Sequence, residues 1–347
     1  MLAQLPLELL DRVIGCLSFD DIHAIACVCS ALRLPAQRRL FRTILISGLA
    51  NTDDATPTHT ENLLSQPNLL RCASRLLVED RLFRFLFLQR EIREMSIHSL
   101  WTHVPTMYRL TYVELSLEPS AYAIALSTLE GLGSVREIEL NLRVGLPHDL
   151  VISDKPLPVH SLSIPVGAAD DELTRQFFQK CSQSLRKLHL YLYINRVPSF
   201  PPLPNLCELS LYARSQSHGQ DLTRWFPFLA QHPTITRLSI DTIYNLSVPP
   251  PSNVLPNLQS LKATTVVSEQ LIPGRPIHVV NVEYYSEQFP VGTMFQVLRS
   301  SNVPLTILEI TTWAIYPGEA LINLLQSLPK LCEFSLEKPR YEVCQTI

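Results

Sequence analysis

Side chains that could bind a metal or activate a nucleophile cluster in three places. Asp53-Asp54 precede His59, Asp170-Asp171-Glu172 form an acidic run, and His98 stands near His103. The histidine pair has no third ligand at a workable spacing. Asp53-Asp54 lie in a polar, turn-forming stretch, residues 48–67, read as a loop. The run before Leu173 suits the positive N-terminal end of a helix. The chain contains no GxSxG, P-loop, GxGxxG or HExxH pattern. Ten glycines in 347 residues leave little material for phosphate-cradling loops. No catalytic, cofactor or metal site is therefore assigned, and the chain is read as a non-enzyme. The eight cysteines, at positions 16, 27, 29, 72, 181, 207, 332 and 344, form no CxxC. They are expected to be buried free thiols in a reducing compartment.

Binding is the remaining chemistry. A net charge of -3 excludes a broad basic field for nucleic acid. Hydrophobic residues make up 46% of the chain, but in short runs, none near the ~18 residues of a membrane span. Glu8 and Asp11 interrupt the N-terminus, which has no basic n-region and is not a signal peptide. The expectation is a protein of the cytoplasm, the nucleus or both, without nucleic-acid or membrane partners. Arg38, Arg39 and Arg42 form a small basic cluster, read as a solvated helix face.

The elements that would present a binding surface repeat. The phrase apolar-x-x-apolar-x-apolar occurs at Leu110–Leu115, Val135–Leu140, Val159–Ile164, Leu185–Leu190, Leu206–Leu211, Ile235–Ile240, Leu258–Ala263, Ile277–Val282, Leu305–Ile310 and Leu331–Leu336. Weaker copies stand at Ala73–Val78 and Ile92–Ile97. Successive fourth positions are 18 to 29 residues apart, the period of leucine-rich repeats. The asparagine usual after such strands is largely absent. Proline often precedes the phrase, as in Pro204-Asn205-Leu206 and Pro256-Asn257-Leu258, and launches the strand. Helical spacing appears between phrases, over Asp221–Gln231 and Gly318–Leu328. The fold class is α/β: a leucine-rich-repeat solenoid with a parallel sheet inside and helices on its convex side, over residues 47–347.

Side chains alternate along a strand, so the fourth and sixth positions face the core and the third, fifth and seventh face the concave side. This rule places Glu114, Glu137, Glu139, Tyr191, Tyr212 and Arg237 on the inner surface, with Tyr285 and Trp313 on or just beyond their strands. Aromatic groups with mixed charge are what interface cores favour, and these residues are the candidate surface for a client protein.

Residues 1–46 are different. Pro6 suits a first helical position, and Leu9, Leu10, Val13, Ile14 and Leu17 follow at helical spacing. Asp20 or Asp21 would cap a second helix, and Leu34-Pro35 would end it and open a short third. Forty residues with this much apolar side chain cannot bury it all along one internal seam, which points to docking on a partner.

The order Leu5-Pro6-x-Glu8-Leu9-Leu10, Val13-Ile14, Leu17, Asp21-Ile22, Ala26-x-Val28-Cys29-Ser30 resembles an F-box. The segment Pro35–Ile44 is similar to the end of F-boxes common in mushroom-forming fungi. Leu32 stands where that family usually has Trp. The resemblance implies a substrate-recognition adaptor of a Skp-cullin-F-box ubiquitin ligase. The F-box would bind the Skp adaptor, and through it a cullin scaffold, while the repeats bind a client. By position, Leu5, Pro6, Leu9, Leu10, Ile14, Leu17, Ile22 and Val28 match the family's adaptor-facing pattern. The alternative is a leucine-rich scaffold whose N-terminal helices cap the solenoid or serve a non-degradative complex.

Overall fold

The structure, a computed structural model, describes residues 6–28, 30–47, 66–79, 100–117, 119–142, 155–166, 172–192, 197, 200–213, 220–240, 244–284, 291–312 and 318–337. The chain divides into two compact units, Met1–Leu162 and Ser163–Ile347.

The first unit opens with three helices, α1 (Leu7–Gly15), α2 (Phe19–Val28) and α3 (Ser30–Leu40). Pro6 is the N-cap of α1 rather than its first residue. Its carbonyl accepts the N–H groups of Leu9 and Leu10, each at 3.0 Å. The cap of α2 is Ser18, not an aspartate. Its Oγ accepts the Asp21 N–H at 3.2 Å and donates to the Asp21 carboxylate at 2.6 Å. Pro35 does not open α3 but lies inside it. It is the middle residue of the helix, where the missing N–H forfeits one backbone bond, and its buried ring contributes packing in return. Ile14, Ile22 and Ala36 form the centre of this module, with Leu17, Ile25, Ala26 and Leu40 packed around them. Leu32, in the place of the usual Trp, is also buried.

Strands β1 (Thr43–Ser47), β2 (Arg75–Glu79), β3 (Tyr112–Ser116) and β4 (Glu137–Asn141) then pair in parallel, in chain order. A fully buried tyrosine, Tyr122 on the helix Pro119–Glu130, ties two of them together. Its hydroxyl accepts the Leu117 N–H at 2.9 Å and donates to the Asn141 carbonyl at 2.8 Å. Strand β5 (Val159–Val166) straddles the division between the units.

In the second unit the parallel order is β6 (Lys187–Leu192), β7 (Glu208–Ala213), β9 (Arg237–Ile240), β11 (Ser260–Thr264), β12 (Val279–Tyr284), β13 (Ile307–Thr312) and β14 (Glu333–Glu337). The two-residue strands β8 (Gln220–Asp221) and β10 (Tyr244–Asn245) form a separate parallel pair. Helices Thr265–Leu271, Val291–Arg299 and Gly318–Gln326 touch one another in sequence, as their strands do. Each unit is therefore an α/β array of solenoid type.

Every phrase copy that falls on described residues forms a strand, and its fourth and sixth positions are buried in all strands but the last. In β14, Phe334 is half-buried and Leu336 is exposed. The Ile92–Ile97 copy lies outside the described residues.

One hydrogen-bonding rule fixes the register between repeats. The carbonyl of the phrase's second residue accepts two N–H groups from the next repeat. Ser74 O takes Thr111 and Tyr112, Thr111 O takes Arg136 and Glu137, Cys207 O takes Thr236 and Arg237, and His278 O takes Thr306 and Ile307. Where the second residue carries a short polar side chain, it donates back to the same carbonyl. Thr111 Oγ1 reaches Ser74 O at 3.2 Å, Thr236 Oγ1 reaches Cys207 O at 3.3 Å, and Thr306 Oγ1 reaches His278 O at 3.1 Å. The asparagines missing after the strands have counterparts ahead of them. Asn205 Nδ2 donates to Gln183 O at 2.7 Å and Asn257 Nδ2 to Pro233 O at 3.0 Å, each linking one repeat to the one before.

The segment Asp221–Gln231 is a 3₁₀ turn, Leu222–Trp225, running into a helix, Phe226–Gln231. Asp221 caps it, accepting from Thr223 N at 2.9 Å and from Ser247 Oγ at 2.6 Å. Burial pulls the Asp221 carboxyl upward, but these bonds outweigh it and hold the group down at about 2. Among the described cysteines all are free, but only Cys72 and Cys181 are buried; Cys16, Cys27 and Cys332 are exposed. The expected burial fails for Cys16, which follows α1 as its C-cap, and for Cys27, which α2 turns outward. Burial pushes the Cys181 thiol up to about 12.

His232 is buried at the end of the Phe226–Gln231 helix. Its Nδ1–H donates to Phe228 O at 2.7 Å and its Nε2 accepts the Leu203 N–H at 3.2 Å, which only the neutral ring can do. Burial lowers its pKa, against an opposing effect of the Phe228 carbonyl. The unfolded chain therefore takes up this proton first, near pH 6.5, and the stability His232 contributes is present above that pH and lost as pH falls. Between pH 7.5 and 5.5, the urea midpoint followed by tryptophan fluorescence is expected to fall more in the wild type than in His232→Gln. Parallel profiles would assign the acid sensitivity to other groups.

Candidate docking surfaces

Helix α1 is apolar on two sides. Leu10 and Ile14 turn inward and are buried. Leu9 and Val13, one turn apart, are 45% and 40% exposed. Leu34 on α3 is 50% exposed, and Pro6 at the start of α1 is exposed. Three residues expected to face an adaptor are thus turned the other way. Leu10, Ile14 and Ile22 are sequestered within the chain, because three short helices close a core only by spending their best-spaced aliphatics on one another. Leu17 is half-buried at the edge of that core. Leu5 and the side chain of Val28 lie outside the described residues. Val13, four residues from Leu9 and so on the same side of the helix, is exposed beside it although the family's adaptor-facing pattern did not single it out.

The candidate client residues fall in both units. In the first, parallel register sets Arg75, Tyr112 and Glu137 in one row and Glu114 beside Glu139 in the next. Tyr112 Oη donates to Glu114 Oε2 at 3.1 Å, and the Arg75 guanidinium lies 4.4 Å from the Tyr112 ring centroid. Burial pushes the Tyr112 hydroxyl well above the usual tyrosine range, and the charges of Glu139 and Glu114 push it further. This hydroxyl is held as a donor beside two carboxylates. Glu137 is exposed, and Glu114 and Glu139 are partly covered.

In the second unit, Tyr191 and Tyr212 stack with ring centroids 5.2 Å apart and planes 20° from parallel. At the other end of β7, Arg237 Nη1 lies 3.8 Å from Glu208 Oε2. Further along, Lys262 Nζ meets Glu283 Oε1 at 2.9 Å, and Asn281 Nδ2 donates to Glu309 Oε2 at 2.6 Å. Exposed pairs of this kind hold side chains in place but contribute little stability, ~0–1 kcal/mol each. The strands of this unit thus carry one stacked aromatic pair and, apart from it, paired side chains of mixed charge. Tyr285 and Trp313 lie outside the described residues.

Among the described residues no three His, Cys, Asp or Glu side chains gather as a metal set would. No described helix is long and apolar enough to cross a membrane.

Residues 2–34 match the F-box domain family, a stretch that covers α1, α2 and the first part of α3. F-box domains bind the Skp adaptor in Skp-cullin-F-box ubiquitin ligases. The chain thus carries an F-box domain at its N-terminus, and parallel strands with helices follow it. No curated protein matches it.

Proposed function

We propose that this chain is the substrate receptor of a Skp-cullin-F-box ubiquitin ligase. It is not itself an enzyme: it holds a client protein close to a ubiquitin-loaded enzyme, so that transfer is promoted by proximity. The observation that carries this reading is the second apolar side of α1, where Leu9 and Val13 are exposed on a domain that matches the F-box family. A helix whose only task was to cap the repeats would not need it. Covering those two side chains on a partner contributes roughly 1–2 kcal/mol each. The division of labour falls near residue 46: the helices before it engage the adaptor and the repeats after it engage the client. Tyr191, Tyr212 and Arg237 in one unit, with Glu114, Glu137 and Glu139 in the other, are the residues proposed to meet the client.

Co-expression with a Skp adaptor and size-exclusion chromatography tests the first half. The expected result is a stable one-to-one complex. A wild-type chain that elutes alone and folded would make the helices a cap and the protein a scaffold. Loss of client turnover on deleting residues 1–46 separates a degradative receptor from a non-degradative one.

A further inference from the structure

Four arginines gather around one pocket in the first unit. A cavity of about 300 Å³ is lined by Arg38, Arg39, Arg42 and Arg109, with Cys72 and Ser74. Three of the arginines have a local explanation. Arg38 and Arg39 lie in the last turn of α3 and Arg42 just beyond it, where cations complement the helix dipole. Arg109 does not. It comes from a segment more than sixty residues later in the chain, immediately before β3.

The repeat ladder brings it there. Arg42 O accepts the N–H groups of Ser74 and Arg75 at 2.9 and 3.0 Å and the Ser74 hydroxyl at 3.3 Å. Ser74 O in turn accepts Thr111 N and Tyr112 N at 3.0 and 3.2 Å. Three successive turns are thus stacked, and each carries arginine or a neighbour of arginine into the same hollow. Among the described residues none of the four guanidiniums pairs with a carboxylate, although this chain pairs its cations elsewhere, as at Arg237 and Lys262. Cys72 is buried against the cluster, its Sγ donating to Asn68 O at 3.4 Å. Burial raises its thiol, while Arg38 and Arg109 pull it down, so both guanidiniums act on one point from different elements.

Arg38 is half-buried and Arg39, Arg42 and Arg109 are exposed, so water screens part of their mutual repulsion and an anion seated among them would relieve the rest. Guanidinium forks match the oxygens of a tetrahedral anion and donate pairwise to them. The cavity is large enough for one or two phosphoryl groups. We propose that this pocket is a binding site for a phosphate monoester or a diphosphate. It stands independently of adaptor docking, which uses the outer side of α1.

The test is isothermal titration of the full chain with pyrophosphate and, separately, with O-phosphoserine, at fixed ionic strength. Saturable one-to-one binding is expected. Arg109→Gln should weaken it about tenfold or more, the effect of losing one charge-assisted contact. Arg75→Gln removes the same charge from the same unit but outside the pocket, and should leave binding unchanged. Circular dichroism checks that each variant is folded, and Arg38→Gln reads the same pocket should Arg109→Gln fail to fold. Tighter binding of pyrophosphate would point to a free diphosphate, and comparable binding of phosphoserine to a phosphorylated side chain. Absence of saturable binding, or equal weakening in Arg75→Gln, would overturn the site and leave a diffuse basic field.

Discussion

Replacing both Leu9 and Val13 with aspartate is expected to abolish co-purification with the Skp adaptor while leaving the chain folded. Both side chains lie at the surface, 45% and 40% exposed, so the substitution costs the free chain far less than one in the core. In a complex, the apolar contact is lost and two carboxylates are brought against an apolar partner without counter-charges, which costs several kcal/mol. A loss of roughly 100-fold or more in affinity is the expected result, measured by titration or by pull-down against the wild type. Ile14→Asp is the instructive contrast. Ile14 is 2% exposed, at the centre of the α1–α3 core. An aspartate there should unfold the domain, by about 3–5 kcal/mol, and so lose adaptor binding for an unrelated reason. Circular dichroism and limited proteolysis distinguish the two. Unchanged adaptor binding by the folded Leu9→Asp/Val13→Asp variant would move the docking surface away from α1.

A comparable loss of stability is expected from Arg275→Met in the second unit. Arg275 is 6% exposed. Its guanidinium donates to Val254 O from Nε at 3.2 Å and from Nη2 at 3.1 Å, and from Nη1 to Leu271 O at 3.0 Å and Pro273 O at 3.3 Å. It joins the end of the Thr265–Leu271 helix to the loop before β11, next to Gly274, whose φ of +74° a side chain would strain. Burial lowers the Arg275 pKa, but the group stays charged because an arginine starts so high. Methionine fills the same volume and leaves three carbonyls without these donors. At ~1–3 kcal/mol for each unsatisfied buried group, partly relieved by water, a net loss of about 3 kcal/mol is expected in urea denaturation. Arg275→Lys should recover only part of it, since an ammonium cannot span the same acceptors. A loss below about 1 kcal/mol would mean that the carbonyls find other partners.

The sequence by itself determined the repeat architecture. The fourth and sixth positions of the phrase alternate as in a strand with one face buried, and their recurrence at a repeat period places the strands as parallel neighbours. Leu76, Val113, Ile138, Leu188 and Leu238 are each buried where the phrase put them. The F-box resemblance was equally legible, because it rests on the order of many residues along about forty positions.

Which side of a helix meets a core was not legible. Leu9, Leu10, Val13 and Ile14 are chemically alike, and only the packing of α2 and α3 buries one pair and leaves the other exposed. Pro35 could open a helix or sit inside one, and tertiary packing of its ring chose the second. Ser18 took the cap from its aspartate neighbours because the helix begins at Phe19, two residues earlier than a cap at Asp20 would start it. Arg109 could not be placed with Arg38, Arg39 and Arg42 by any local rule. Their meeting depends on a carbonyl ladder that runs from Arg42 to Ser74 and on to Thr111, a register that exists only once the strands have paired.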